Sequence, residues 1–183
     1  MLRLAGIDWQ VIAAPGHDRH AVMFYAPAER LLISGDALWE DGFGVVFEAL
    51  QGRLEAFDEA RATLEQIAAL DVRTVIPGHG RPFEGVEHAL ERAHKRLAGY
   101  VADPMRLARH LAKVMLTFAL LERRSLELDK LPEYVSRVPI LRDVNTHWLK
   151  MTPPDFARYL VEDLERVGAI ERTEGVIRPR VAA

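Results

Sequence analysis

Short apolar runs that stop at Gly or Pro-Gly recur through the first hundred residues and predict the strands of a sheet. Between two of these runs, Phe57, Ala60, Leu64 and Ile67 lie at helical spacing and predict one helix over residues 57–70. The four predicted strands are residues 7–13, 21–25, 31–34 and 72–76. The order β-β-β-α-β predicts an α/β (α+β) fold, in which a helix covers at least one face of a mixed sheet.

After residue 86 the pattern becomes helical. Apolar residues recur every three to four positions over 86–101 and again over 107–121, and Asp103-Pro104 separates these two predicted helices. A shorter helix is predicted over 125–136. This second half of the chain is therefore expected to be mainly helical.

The end of the chain carries clear helix and hairpin signals. Thr152-Pro153 suits a helix start, with Thr at the N-cap and Pro in the first turn. Gly168 ends that helix, and residues 169–178 predict a small hairpin. We expect two domains, residues 1–103 and a helical tail of residues 104–183, and three helices followed by a hairpin favour a winged-helix-like tail.

Composition excludes several classes of protein. The 183 residues are 49% hydrophobic and 28% charged, as in a soluble globular chain, and no apolar run approaches the roughly 18 residues of a membrane span. The first residues lack the pattern of a secretory signal, so we expect a cytoplasmic protein. With no Cys, a metal site has to use His and carboxylate ligands. The net charge of −3, without a clustered basic stripe, argues against a nucleic-acid partner.

Three metal-competent side chains each follow the end of a predicted strand. His17 comes after Pro15-Gly16, Asp36 after Gly35, and His79 after Pro77-Gly78. Side chains just beyond strand ends are held by a rigid scaffold, so we expect the sheet to bring these three together. Neutral imidazoles bind metal ions, and a carboxylate can bridge two cations through its two oxygens. The alternative is that both histidines are ordinary turn residues and that Asp36 caps a loop.

Two further groups near these turns have open roles. Trp39 and Phe43 follow Asp36 closely and are expected either to line a substrate pocket or to pack in the core. His20, three residues after His17, is a candidate contact to the site.

The three turns resemble motifs of a known family. Pro15-Gly16-His17, Ser34-Gly35-Asp36-Ala37-Leu38 and Ile76-Pro77-Gly78-His79-Gly80 look like the last three metal-ligand motifs of the metallo-β-lactamase superfamily, in the same order. The resemblance implies the C-terminal half of an αββα sandwich. The tail is similar to the winged-helix extension of some hydrolases in this superfamily.

The resemblance also implies a role for each ligand. By it, His17 binds a first metal, Asp36 bridges two metals and His79 binds the second, with zinc as the expected cofactor and iron or manganese as alternatives. The implied activity is hydrolysis of an ester, thioester, lactam or phosphoester in a small-molecule substrate by metal-bound hydroxide.

One family motif is not found in the sequence. The family's His-x-His-x-Asp-His, which supplies most metal ligands, should lie well before His17, and His17-Asp18-Arg19-His20 differs from it in order and spacing. The expectation is therefore an incomplete site, in a truncated chain or one completed by another polypeptide. The alternative function is a non-catalytic oligomerising or regulatory module. In both cases the face of the sheet opposite the helix should be covered by the tail or by a second copy, which predicts a homo-oligomer.

Overall fold

A five-stranded sheet organises the first half of the protein in the computed structural model, which describes residues 1–180. Its strands lie side by side in chain order, and neighbours are antiparallel except for the last pair, which is parallel. The strands are β1 (Leu2–Leu4), β2 (Ile7–Ala13), β3 (Val22–Ala26), β4 (Leu31–Gly35) and β5 (Thr74–Pro77). Because β4 and β5 are parallel, both end at the same edge of the sheet, with Gly35 opposite Pro77.

One face of this sheet forms the core of the first unit. Met23, Tyr25, Leu32 and Val75 point to this face and are buried, and the register places Leu32 between Tyr25 and Val75. Alternation with a period of two separates these residues from those of the opposite face. We call this buried face the inner face of the sheet and the opposite one the outer face. The outer face is also apolar.

Three helices complete the first unit: α1 (Phe47–Leu50), α2 (Glu55–Ala68) and α3 (Val86–Ala102). Helix α2 lies against the end of β2, where the Thr63 hydroxyl donates to the Pro15 carbonyl at 2.8 Å. A Cβ on Gly16 would come within 2.7 Å of the Ala60 Cα, so only glycine permits this close approach between the turn and the helix.

The second unit is helical with a small sheet. It contains α4 (Pro104–Arg123), β6 (Leu126–Glu127), α5 (Leu131–Arg137), α6 (Pro139–Val144), a π-helical turn (Asn145–Leu149), α7 (Pro153–Arg166), β7 (Ile170–Thr173) and β8 (Val176–Pro179). The strands are antiparallel in the order β6-β8-β7. Apolar side chains from these helices, with Ile177, form its core. At the start of α7 the Thr152 hydroxyl accepts from the Asp155 N–H, the helix cap that the sequence predicts.

The chain divides into compact units at Pro104, with the second unit beginning at Met105. The predicted domains meet between residues 103 and 104, and residues 181–183 of the predicted tail lie outside the described part. No helix within residues 1–180 has the length and apolar composition that crossing a bilayer requires.

The mixed α/β class predicted from the sequence is confirmed, as are the four strands, with shifts of one or two residues at their ends. The predicted terminal hairpin is confirmed by the pairing of β7 with β8. The continuous helix predicted over 125–136 is wrong, because Leu126 and Glu127 pair with β8 and the helix begins only at Leu131. The winged-helix assignment of the tail stays a prediction.

Candidate metal centre

The parallel pairing of β4 with β5 places two of the predicted ligands beside each other. Asp36 follows Gly35, whose φ of +55° turns the chain out of β4, and His79 follows Pro77-Gly78 at the end of β5. The Gly78 N–H donates to the Gly35 carbonyl at 2.7 Å and fastens the two turns together. The third predicted ligand, His17, follows the end of β2.

The structure brings all three side chains together around the Asp36 carboxylate. His79 Nδ1 lies 2.9 Å from Asp36 Oδ1, and His17 Nε2 lies 3.4 Å from Asp36 Oδ2. The two imidazoles therefore approach different oxygens of one carboxylate. Their role as metal ligands stays a prediction, but the spatial convergence on which it depends is present.

The hydrogen-bond partners fix which nitrogen of each imidazole carries hydrogen. His17 Nδ1 lies 2.7 Å from the Val45 carbonyl, and a carbonyl can only accept, so Nδ1 is the donor. By the same argument His79 Nδ1 donates to the Asp36 carboxylate. In the neutral form of each ring, Nε2 then carries the lone pair that a metal requires.

The position of His17 Nε2 relative to Asp36 is chemically informative. When the ring is neutral, a lone pair on this nitrogen faces an anionic oxygen 3.4 Å away, an arrangement that a cation bound to both atoms would satisfy. These two donors, an imidazole nitrogen and a carboxylate oxygen, are of the kind that zinc binds.

Trp39 holds the other oxygen of the same carboxylate. Its indole Nε1–H donates to Asp36 Oδ1 at 3.0 Å, and its ring lies 4.9 Å from the His79 ring at an angle of 60°. The loop that carries Trp39 is closed by backbone bonds from Trp39 N–H to the Gly42 carbonyl and from Gly44 N–H to the Asp36 carbonyl, each 2.7 Å. The sequence placed Trp39 near the site but did not identify it as a hydrogen-bond donor to Asp36.

Two glycines leave the space that the three side chains occupy. A Cβ on Gly44 would come within 2.6 Å of His17 Nδ1, and a Cβ on Gly78 would come within 2.6 Å of Asp36 Oδ1. Neither glycine has a positive φ, so close approach rather than backbone freedom explains its presence. Gly78 could be recognised from the sequence, because it directly precedes the predicted ligand His79. No comparable motif identifies Gly44 as a residue of the site.

A network of ion pairs supports the turn that carries His17. Arg19 contacts Glu48 of α1 through Nε and Nη2 at 3.0 and 3.1 Å, and Arg53 bridges Glu48 and Glu59 of α2. The hydrogen bond from Arg19 lowers the pKa of Glu48, and the one from Arg53 lowers the pKa of Glu59. The ring of Phe47, next to Glu48, lies 5.2 Å from the His17 ring.

His20 does not join the three. It is exposed, and its described hydrogen bond is from its backbone N–H to Asp18 Oδ1 at 2.7 Å. No described contact connects its side chain to the Asp36 carboxylate. Phe43 packs edge-on against Tyr100 at 6.4 Å, as a core residue does.

Comparison with known proteins shows which family this chain resembles. Residues 3–79 match the family model described as the metallo-beta-lactamase superfamily, a range that contains His17 and Asp36 and ends at His79. This part of the chain is similar to the metallo-beta-lactamase superfamily.

Curated proteins are similar to this chain over part of their length. A hydroxyacylglutathione hydrolase from Chromohalobacter salexigens is 30% identical over 162 residues, covering 87% of this chain and 54% of that protein. The probable metallo-hydrolase YqjP from Bacillus subtilis is 27% identical over 110 residues, covering 56% of this chain and 34% of that protein. The chain thus spans about a third to a half of the length of these relatives.

A solved structure aligns with nearly the whole chain. The metallo-beta-lactamase family protein TTHA1429 from Thermus thermophilus is 22% identical with a TM-score of 0.47, covering 98% of this chain and 52% of that one.

The candidate site offers few side chains that could hold one metal ion together. Within residues 1–180, no three or more His, Asp or Glu side chains are grouped so that they would hold one metal ion. The contacts explain this, because His17 and His79 approach opposite oxygens of Asp36. The cavity behind His17 and Asp36 has about 10 Å³, enough for roughly one water. The open side is that of His79, whose side chain is 56% exposed.

Proposed function

We propose that this chain is a metal-dependent hydrolase whose metal ligands are His17, Asp36 and His79. The observation that supports this most is the arrangement of two imidazoles, both with hydrogen on Nδ1, around one carboxylate. The similarity of residues 3–79 to the metallo-beta-lactamase superfamily supports the proposal.

The donors fit a divalent metal, with zinc as the proposed ion and iron or manganese as alternatives. His17 Nε2 and Asp36 Oδ2 would hold it, and His79 Nε2 is the further donor. When bound, the metal supplies Lewis-acid polarisation of a carbonyl or phosphoryl oxygen and activation of water near neutral pH. A catalytic zinc usually has about three protein ligands, so two firmly placed donors predict weak binding.

The protein's own groups have separate tasks in this proposal. Val45 accepts from Nδ1 of His17 and so presents Nε2 toward Asp36. Trp39 and His79 occupy Oδ1 of Asp36 and leave Oδ2 facing His17. Because His79 is on the open side, substrate would approach there. We propose a small molecule bearing an ester, thioester, lactam or phosphoester, and a thioester first, because several similar proteins are named hydroxyacylglutathione hydrolase. We also propose the cytoplasm as its location.

The test is metal binding by the isolated chain and by two alanine variants. Titration calorimetry with Zn²⁺ and Mn²⁺ should show weak binding by the unmodified protein. Asp36→Ala removes the carboxylate that both imidazoles approach and should abolish it. His94→Ala, on α3, should change nothing. With a p-nitrophenyl ester and a thioester as substrates, we expect low turnover that depends on added metal.

Two results would overturn this proposal. One is tight stoichiometric metal binding that persists in Asp36→Ala, which would move the ligands elsewhere. The other is hydrolysis that proceeds equally in Asp36→Ala and in the unmodified chain.

A second candidate function is favoured by a different observation. Val11, Phe24, Ile33 and Ile76 lie in register on the outer face of the sheet, and Val11 is 51% exposed. Apolar faces of this kind mark association surfaces. We propose on this basis that the chain forms a homo-oligomer, with or without catalysis. Metal titration separates a hydrolase from a purely associating module.

A further inference from the structure

The second unit contains a groove that the metal site does not use. It has a volume of about 970 Å³, within the range of small-molecule sites, and lies between the end of α4, strands β6 and β8, and helix α5. The residues beneath it are apolar, and Leu131 among them is only 1% exposed. These apolar residues are Leu126, Leu131, Val138, Pro139 and Val176.

Two carboxylates line the groove, and each is already paired. Glu127 contacts Lys130 at 2.7 Å, and Glu133 contacts Arg137 at 2.8 Å. The Glu127 carboxylate raises the pKa of Lys130 through its hydrogen bond, so this lysine is cationic at neutral pH. In each of these two ion pairs the positive and negative charges neutralise each other. The other cationic side chains of the groove therefore have no carboxylate of the groove to pair with.

The uncompensated cations are Arg123 and Arg178. Within residues 1–180 neither forms an ion pair with a carboxylate. Glu171 lies opposite Arg178 on the neighbouring strand, but its described ion pair is with Arg180 at 3.8 Å. The Arg123 guanidinium lies 5.2 Å from the centre of the Tyr134 ring, which holds it beside the groove.

The backbone fixes both arginines on regular structure. Arg123 is the last residue of α4, and the left-handed conformation of Arg124, with φ of +68°, turns the chain at once into β6. Arg178 is in β8, which pairs with both β6 and β7. A guanidinium presents paired N–H donors in the geometry that a carboxylate or phosphate accepts. The groove thus combines two anion-binding groups with an apolar base.

We propose that this groove binds a small organic anion, a carboxylate or phosphate carried on an apolar body, with Arg123 and Arg178 contacting the anionic group. The apolar body lies over Leu126, Val138 and Val176. This site is independent of the proposed metal centre.

The test uses four probes by titration calorimetry: phenyl phosphate, benzoate, inorganic phosphate and benzyl alcohol. We expect phenyl phosphate or benzoate to bind more tightly than inorganic phosphate and benzyl alcohol, because only these two carry both features. Comparing phenyl phosphate with benzoate identifies the preferred anionic group.

Variants locate the binding. Arg178→Gln should weaken it about tenfold or more, and Arg178→Lys should weaken it less, since charge remains but the paired donors are lost. Arg123→Gln should act like Arg178→Gln. The control is Arg109→Gln, an exposed arginine of α4 outside the groove, which should leave affinity unchanged. Circular dichroism checks that each variant is folded.

Three outcomes would overturn the proposal: no heat of binding at millimolar phenyl phosphate or benzoate, affinity that is equal for inorganic phosphate, or affinity that Arg178→Gln and Arg123→Gln leave intact. A glutamate-rich peptide that displaces phenyl phosphate at lower concentration would also overturn it, by identifying a protein partner instead.

Discussion

At the scale of single residues, the two oxygens of Asp36 are not equivalent. Oδ1 accepts from the indole of Trp39 and from Nδ1 of His79, whereas Oδ2 has His17 Nε2 as its described neighbour. Two donors on one oxygen hold the carboxylate in a single rotamer and leave the other oxygen for a cation. Groups that orient a ligand in this way commonly affect metal affinity about 10–100-fold.

Trp39→Phe tests this arrangement, because it removes the N–H and keeps a ring against His79. We expect the affinity for Zn²⁺ to fall by about tenfold or more while the protein stays folded. The matched control is Trp9→Phe: Trp9 Nε1 is buried without a hydrogen-bond partner among the described residues, so its N–H orients no ligand. Calorimetric titration of both variants is the measurement, and equal affinities in the two would contradict a positioning role for Trp39.

At the scale of elements, the Arg and Glu network joins three segments near the site. Arg53 contacts Glu59 through two bonds of 2.7 Å, and the same guanidinium reaches Glu48 on α1. Through Arg19 this network continues to the turn of His17. The short helix α1 has no side-chain cap and only four residues, so its position depends on such contacts rather than on helix propensity.

Glu59→Gln should lower the melting temperature at neutral pH by a few degrees, because it removes the charge that pairs with Arg53. The pKa of Glu59 is lowered by its hydrogen bond from Arg53, so its stabilisation is present above the ordinary glutamate value of 4.5 and is lost as the pH falls through the folded-state pKa. The difference between the unmodified protein and Glu59→Gln should therefore shrink below pH 4.5.

The control for this prediction is Glu65→Gln on the same helix, where no ion pair is described and no difference is expected. Thermal unfolding followed by circular dichroism across the pH range is the measurement. A difference that persists undiminished at pH 3 would show that Glu59 stabilises through packing instead.

The sequence predicted those helices and strands that local interactions stabilise, and it missed those that depend on residues distant in the sequence. β2 matches the predicted 7–13, since its pattern and its Pro-Gly stop are local. β1 and α1 were missed, because β1 forms by pairing Leu2–Leu4 against β2, and Glu48 of α1 contacts Arg19, which is distant in the sequence. Residues 126 and 127 were assigned to a helix because their partners in β8 lie some fifty positions later.

The same distinction between local and long-range interactions applies to the candidate site. His17, Asp36 and His79 were identified because each follows a strand end marked by glycine. The predicted sheet implied that these three side chains lie close together. The separate contacts of the two histidines with Oδ1 and Oδ2 of Asp36 depend on distances between loops, which residue spacing in the sequence does not determine. Gly44 was missed for this reason, because its lack of a side chain matters for the space that His17 and Asp36 occupy in the folded protein.

At the scale of the whole molecule, the first sheet has two apolar faces, and the core covers one of them. The outer face contains Val11, Phe24, Ile33 and Ile76 in one row across four strands, with Val22 nearby at 45% exposure. No charged residue occupies an outer-face position in this row. Two such faces can meet without burying an unpaired charge, and monomeric proteins rarely expose large contiguous apolar patches.

We therefore expect the unmodified protein to be a dimer or larger assembly built on this outer face. Val11→Lys places a cation in the middle of the row, where association would bury it unpaired, and should shift the protein to a monomer. The control, Val167→Lys, makes the same change at a more exposed valine beyond the end of α7, at 61% exposure, and should leave the assembly intact. Sedimentation velocity of the three proteins measures this directly. An unmodified protein that sediments as a monomer over the whole accessible concentration range would contradict the prediction, and so would dissociation caused equally by both lysines.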